Sequence, residues 1–144
     1  MRLDETAKGV YVIAPTPFHD DGRIDEASTD RMTDFFLEAG CEGMTILGVM
    51  GEAPKLSLEE SVAFTARVAS RVDGRVPIIV GASAAGIDPM RELTRRVMDV
   101  GAAGVMISPM AGLKTDEAVE SYFATVAKAL GDTPIVLQDY PQLS

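Results

Sequence analysis

Val76-Pro77-Ile78-Ile79-Val80-Gly81 and Ala103-Gly104-Val105-Met106-Ile107-Ser108-Pro109 are two short apolar runs with an amphipathic stretch between them. Each run is near-continuously apolar, not alternating, the pattern of a strand buried on both faces. Between them, Asp88-Pro89 sets a capping carboxylate before a proline at the first helical position. Leu93, Val97 and Val100 then give a buried helical stripe, and Gly101 fits the helix end. This is one strand–helix–strand unit, and its strands must run parallel.

Reading outward in both directions, the unit repeats. Further apolar runs occupy residues 10–15, 43–48 and 134–137, and strand centres recur about every 30 residues, the length of a βα unit. A first helix over 25–39 is expected to carry Met32, Phe35, Phe36 and Ala39 inward, with Gly40 closing it. Ser57-Leu58-Glu59-Glu60 reads as a capping box, followed by Leu58, Val62, Ala66 and Ala69 on one face. Thr115 is the expected N-cap of a last helix, whose inward stripe is Val119, Tyr122, Phe123, Val126, Ala127 and Leu130. The order β-α-β-α-β-α-β-α-β means an α/β fold with a parallel sheet and right-handed crossovers. Two architectures fit at this point: an open doubly wound sheet, or the amino-terminal half of a TIM (β/α)8 barrel, about (β/α)4 plus a fifth strand. A full barrel takes about 250 residues, so in the second case residues 1–144 form a single incomplete barrel domain.

Composition narrows the partners. The formal net charge of −9 argues against nucleic acid, which needs a basic surface. No apolar run approaches the roughly 20 residues of a membrane helix. The first residues carry no targeting pattern, and a lone Cys41 forms neither an internal disulfide nor a Cys-x-x-Cys metal site. A cytoplasmic protein with no metal and no cofactor is the expectation.

In either architecture, binding sites gather at the carboxyl ends of the strands. Those ends read Ala14-Pro15-Thr16-Pro17-Phe18, Gly48-Val49-Met50-Gly51-Glu52, Gly81-Ala82-Ser83, Ser108-Pro109-Met110 and Gln138-Asp139-Tyr140-Pro141. With Asp21-Gly22, Ile24-Asp25, Leu56-Ser57, Glu59-Glu60, Val76-Pro77-Ile78-Ile79-Val80-Gly81 and Gly101-Ala102-Ala103-Gly104, they fall in register from about Gly9 to Pro141. The set resembles the dihydrodipicolinate synthase / N-acetylneuraminate lyase family. The resemblance implies the barrel, and a class I aldolase-type lyase acting on a small 2-oxo acid such as pyruvate. In that family a lysine on the sixth strand forms a Schiff base with the substrate carbonyl, and the iminium is an electron sink for carbon–carbon bond making or breaking or for dehydration. The full-length form would be a homo-oligomer.

Carried over position by position, the resemblance assigns substrate binding to Thr16, Gly48, Val49, Met50 and Gly51 and catalytic positions to Gln138 and Tyr140, Gln138 to orient a substrate hydroxyl and Asp139-Tyr140 either to handle protons or to form a plain loop. The chain departs from the family at several of these. Val49-Met50 stand where the family has two threonines, leaving the N–H groups of Met50 and Gly51 as carboxylate donors. Gln138 stands where the relay tyrosine belongs, with Tyr140 two positions on. Met110-Ala111 replace a tyrosine pair. Lys8, Lys55, Lys114 and Lys128 all lie outside the strands, so the Schiff-base lysine is expected beyond Ser144 and the chain alone is expected to be inactive. The competing readings are a non-catalytic barrel-half assembly module and an open-sheet small-molecule binding domain.

Each candidate has a plainer alternative. Glu52 reads as a structural group holding its loop through backbone N–H groups. Gly48 and Gly51 either cradle a carboxylate or permit a tight turn, and Thr16, between two prolines, either lines the site or serves the turn. His19, beside Asp20 and Asp21, reads as solvated loop; Cys41 as a small buried residue; Arg91, Arg95 and Arg96 as a solvated helix face. Ile46, Ile79, Met106 and Val136 are expected to point into the barrel interior.

Overall fold

The computed structural model describes residues 1–141, so the carboxyl boundary expected at residue 144 lies outside the described residues. The five apolar runs are strands: β1 (Tyr11–Ile13), β2 (Gly43–Ile46), β3 (Ile78–Gly81), β4 (Gly104–Ile107) and β5 (Ile135–Leu137). Between them lie α1 (Glu26–Glu38), α2 (Leu58–Val72), α3 (Ile87–Asp99) and α4 (Asp116–Leu130). A single 3-10 turn (Ala53–Lys55) follows β2.

All four strand pairings are parallel, and the sheet order is β1-β2-β3-β4-β5. A doubly wound sheet reverses its winding at a switch point, so its order is not sequential. Here it is sequential, and the helices neighbour one another in the same order, α1 on α2, α2 on α3, α3 on α4. That is an arc of barrel with one helical layer outside, the amino-terminal half of a (β/α)8 fold. The open-sheet alternative fails on this order.

The pleat divides each strand between two faces. Met44, Ile46, Ile78, Val80, Val105 and Ile107 point toward the helices and are buried. Tyr11, Ile13, Thr45, Ile79, Met106 and Val136 line the concave inner wall, around a hollow of about 350 Å³. Ile46 therefore corrects the sequence reading: it packs under the helices, and Thr45, paired with Ile79, takes the inner position. Period 2 means that one residue of phase exchanges the faces. Toward the amino ends of the strands, Leu3, Ala7, Lys8 and Gly9 join the lining of that hollow, and Leu3 N–H donates to Ala103 O at 2.9 Å.

Several helix ends form as their residues dictate. Ser57 and Glu60 make the reciprocal capping box of α2, Thr115 accepts from Ala118 N–H at the start of α4, and Asp25 accepts from Ser28 N–H at the start of α1. Gly40 and Gly101 follow α1 and α3 with φ of 87° and 122°, where a side chain would be strained. The start of α3 differs from expectation. Gly86 is its N-cap, Pro89 sits one turn in, where an N–H has no helical partner to lose, and Asp88 pairs with Arg91.

The buried helix faces also differ. Phe35 is 64% exposed and Ala39 is exposed; α1 instead buries Thr29 and Thr33 beside Met32 and Phe36. In α2 Leu58 is exposed, and Ser61, Val62, Thr65, Val68 and Val72 form the buried stripe. Ala127 of α4 faces outward. Thr29, Thr33 and Thr65 tolerate burial because each hydroxyl donates to the carbonyl one turn back, at 2.8 Å. On the outer surface, Arg67 and Arg71 of α2 grip Asp30 and Asp34 of α1 by both carboxylate oxygens, and Arg96 of α3 grips Glu59 of α2 in the same way. Arg96 is thus a tie between helices, where the sequence suggested solvated surface. No helix among the described residues is long and apolar enough to cross a membrane.

Candidate functional site

A cleft of about 510 Å³ opens at the carboxyl ends of β2 to β5. Gly48 and Val49 follow β2, Gly81 and Ser83 lie at the end of β3, Ser108 follows β4 and Gln138 follows β5. Met106 of the inner wall also lines it. A larger groove of about 840 Å³ lies between α1 and α2, but Arg67 and Arg71 there are already paired with Asp30 and Asp34, and no strand end reaches it.

The turn after β2 is the most constrained part of the cleft. Gly51 N–H donates to Gly48 O and Glu52 N–H to Val49 O, both at 3.1 Å. Leu47 and Glu52, at either end, both adopt φ of 55°, the left-handed region that non-glycine residues seldom enter. The turn folds back so tightly that a Cβ on Gly51 would stand 2.7 Å from Leu47 Cα and N. A Cβ on Gly81 would overlap the Leu47 carbonyl, whereas one on Gly48 would meet nothing within 4 Å. Thr16 Oγ1, buried, donates to Gly51 O at 2.7 Å and so ties the turn to the segment after β1. The two readings of the glycines thereby separate: Gly51 serves the turn, and Gly48 leaves open space on the cleft wall.

This geometry sorts the expected binding residues. Gly48, Val49 and Gln138 line the cleft together. Thr16 acts behind the turn. Of the two N–H groups expected as carboxylate donors, that of Gly51 donates to Gly48 O within the turn. Met50 is 57% exposed and, like Tyr140, is not part of the cleft lining. Gln138 continues the β5 ladder, its N–H donating to Ile107 O at 2.9 Å, and it shares the inward facing of Val136 two residues earlier. Its carboxamide can orient a substrate oxygen but holds no proton it could exchange near neutral pH.

Glu52 departs from its expected role. Its carboxylate pairs with Lys55 Nζ at 2.5 Å and does not hold backbone N–H groups. Both residues line the cleft. Two further lining residues are named at their strand ends in the sequence reading but given no role there. Ser83 Oγ accepts from Ser108 N–H at 2.9 Å and stands 3.2 Å from Ser108 Oγ. Their only sequence signal is position, each just after a strand.

The remaining candidates lie elsewhere. His19 Nδ1 is 3.7 Å from Asp25, the cap of α1. Burial pushes the half-buried Cys41 thiol up, which keeps it protonated and unreactive near neutral pH. Among the described residues, no three His, Cys, Asp or Glu side chains converge to hold a metal ion.

Strand order and cleft together define half of a (β/α)8 barrel with a cleft at the strand carboxyl ends, where barrel enzymes bind their substrates. The chain belongs to the dihydrodipicolinate synthetase family, whose pattern it matches over residues 6–144. The 4-hydroxy-tetrahydrodipicolinate synthase of Pelobacter propionicus is 36% identical over 135 residues, covering 93% of this chain and 46% of that protein. Crystalline dihydrodipicolinate synthase from Rhodopseudomonas palustris superimposes with a TM-score of 0.95 at 52% identity, covering 99% of this chain and 47% of that one. The Acinetobacter baumannii dihydrodipicolinate synthase, solved with pyruvate, gives 0.87 at 28% identity, covering 94% of this chain and 47% of that one. The chain thus spans about half the length of the relatives it matches.

Proposed function

We propose that this chain supplies the amino-terminal half of the substrate cleft of a lyase of the Schiff-base-forming 2-oxo acid class, working on pyruvate or a close relative. The observation that carries the reading is a cleft built at the carboxyl ends of β2 to β5 in a chain of this family. Pyruvate in the Acinetobacter relative supports the substrate class. In such a reaction a lysine amine adds to the substrate carbonyl, water leaves, and the protonated iminium accepts the electron pair of the bond that breaks at the neighbouring carbon. Gln138 orients a substrate oxygen, and Gly48 with Val49 shapes the wall. Tyr140, two residues beyond Gln138, is assigned to proton handling with the completed site.

The amine is expected from a sixth strand. Lys55 is the lysine on the cleft wall, but its amine is engaged by the Glu52 carboxylate at 2.5 Å and lies outside the strands. The active form is proposed to be a cytoplasmic homo-oligomer with both barrel halves present.

Borohydride trapping of the full-length protein across a panel of 2-oxo acids tests this. The expected result is one adduct, on a lysine outside these 144 residues. An adduct on Lys55 would overturn the choice of nucleophile. No adduct with any 2-oxo acid would remove the Schiff-base class and leave a non-catalytic module.

A further inference from the structure

We propose that Ser83, Ser108 and Gln138 form a row that selects the substrate by its tail, and that this tail carries an uncharged hydroxyl. The proposal deepens the 2-oxo acid reading and rests on it. It concerns only the carbons beyond the carboxylate, which stays with the turn after β2.

The row follows from strand register. Gly81 of β3 pairs with Met106 of β4, and Met106 pairs with Val136 of β5. Positions two residues apart share a face, so Ser83, Ser108 and Gln138 stand one step above these three and look the same way. All three line the cleft. Two bonds carry the alignment past the strand ends: Gln138 N–H donates to Ile107 O and Ser108 N–H to Ser83 Oγ, both at 2.9 Å. Gly81, Met106 and Val136 in the row below bring no side-chain donor. Polar side chains thus enter the wall at one level across three strands.

Hydrogen-bond counting gives the ligand chemistry. Two serine hydroxyls hold two protons and four acceptor lone pairs. The Ser108 N–H takes one lone pair of Ser83, and the hydroxyl–hydroxyl bond at 3.2 Å takes one proton and one more lone pair. Whichever serine donates, one proton and two lone pairs remain. Gln138 adds carboxamide protons and a carbonyl oxygen. Such a set both gives and receives, as a ligand hydroxyl does. Neighbouring strands lie about 4.8 Å apart, and one hydroxyl oxygen, about 2.8 Å from each partner, bridges that gap. A carboxylate tail only accepts, so it would face the serine lone pairs. Nor does the lining offer it a free cation, because Lys55 is paired with Glu52 at 2.5 Å. A methyl tail would leave the row without a ligand partner.

The test is calorimetric binding of 2-hydroxy acids to the full-length protein. These have no carbonyl to form a Schiff base, so binding and chemistry are read separately. Lactate, the shortest, sets the baseline. Three four-carbon acids then differ only at the far carbon: 2-hydroxybutanoate ends in methyl, 2,4-dihydroxybutanoate in hydroxymethyl and malate in carboxylate. The dihydroxy acid is expected to bind about fivefold tighter than 2-hydroxybutanoate, the effect of one neutral hydrogen bond, and tighter than malate. Ser108→Ala, which keeps the Ser108 N–H bond to Ser83, is expected to bring the methyl and hydroxymethyl acids within about twofold of each other. If that variant does not fold, Ser83→Ala takes its place with the same expectation.

Equal affinity for the methyl and hydroxymethyl tails, tighter binding of malate, no saturable binding of the dihydroxy acid, or a preference that survives the alanine variant would each overturn the proposal. A serine-dependent preference for the hydroxylated tail without borohydride trapping would keep the row and discard the Schiff-base reading. Trapping without that preference would do the reverse.

Discussion

Replacing Gly51 with alanine should damage the fold, while the same change three residues earlier at Gly48 should damage only binding. At Gly51 the new methyl carbon would stand 2.7 Å from two backbone atoms of Leu47. Ordinary contact begins near 3.5 Å, so backbone on one side must retreat by most of an ångström. Neither side is free to do so. Leu47 is buried at the end of β2, and the Gly51 carbonyl is held by Thr16 at 2.7 Å. Forcing atoms into a packed site costs about 1–3 kcal/mol, and disturbing the Thr16 hydrogen bond adds about 1 kcal/mol. A total of about 2–4 kcal/mol is a large part of the roughly 5–15 kcal/mol that holds a domain folded. At Gly48 the methyl meets nothing within 4 Å and φ is not positive, so stability should change by less than about 1 kcal/mol. Gly48 lines the cleft, however, and the methyl takes space a ligand would use. Urea unfolding of the full-length protein measures the first effect and lactate titration the second. Equal destabilisation by the two alanines would refute the assignment of turn geometry to one glycine and open wall to the other.

Thr16→Val keeps the shape and removes the donor to Gly51 O; a loss of about 1–2 kcal/mol in urea unfolding is expected, since the carbonyl is left buried without its partner. Ser57→Ala breaks the capping box of α2 and should lower stability by about 1 kcal/mol in the same assay, with Ser57→Asp restoring most of it. Asp25, Asp34 and Glu59 titrate below their ordinary values, Asp25 through the Ser28 N–H and hydroxyl, the other two through the guanidinium groups of Arg71 and Arg96. The unfolded chain therefore binds protons first as pH falls. The stability these groups add is present above the ordinary carboxylate range of about 4 and is lost as pH drops through their folded values. Thermal melting from pH 7 to pH 3 should show this, and the double variant Asp34→Asn, Glu59→Gln should melt with a shallower pH dependence. Residues 1–144 expressed alone should self-associate, because Ile13 and Leu137 are 43% and 63% exposed and the edges β1 and β5 are unpaired among the described residues; a cooperative monomer by sedimentation and melting would count against this.

How much of this could be read from residues alone depended on what each residue's neighbours are. Ser57 with Glu60, Thr115, Gly40 and Gly101 act within one turn of chain, so their roles follow from local sequence, and all four helix ends form as expected. Apolar runs mark strands because only buried strands tolerate them on both faces, though each strand is shorter than its run. The facing of side chains was harder to read. Phe35 looks more apolar than Thr33, yet Thr33 is the buried one, its hydroxyl satisfied by its own helix. Ile46 was misplaced by one residue of phase. In the cleft, family position located Gly48, Val49 and Gln138, but nothing in the sequence reveals that Gly51 N–H is already bonded or that Ser83 meets Ser108 from 25 residues away. The first is a bond within one tight turn, and the second arises only when separate strands are brought side by side.

Leu47 stands at left-handed φ with Gly51 against its Cα and N and Gly81 against its carbonyl. For a lineage drifting under selection, these three positions can change only together, so the first step at any one of them is unfavourable. Val49 and Gln138 carry no such mutual constraint, and each can be exchanged singly, whereas Ser83 and Ser108 are bonded to one another. The cleft wall is thereby freer to change than the turn that frames it.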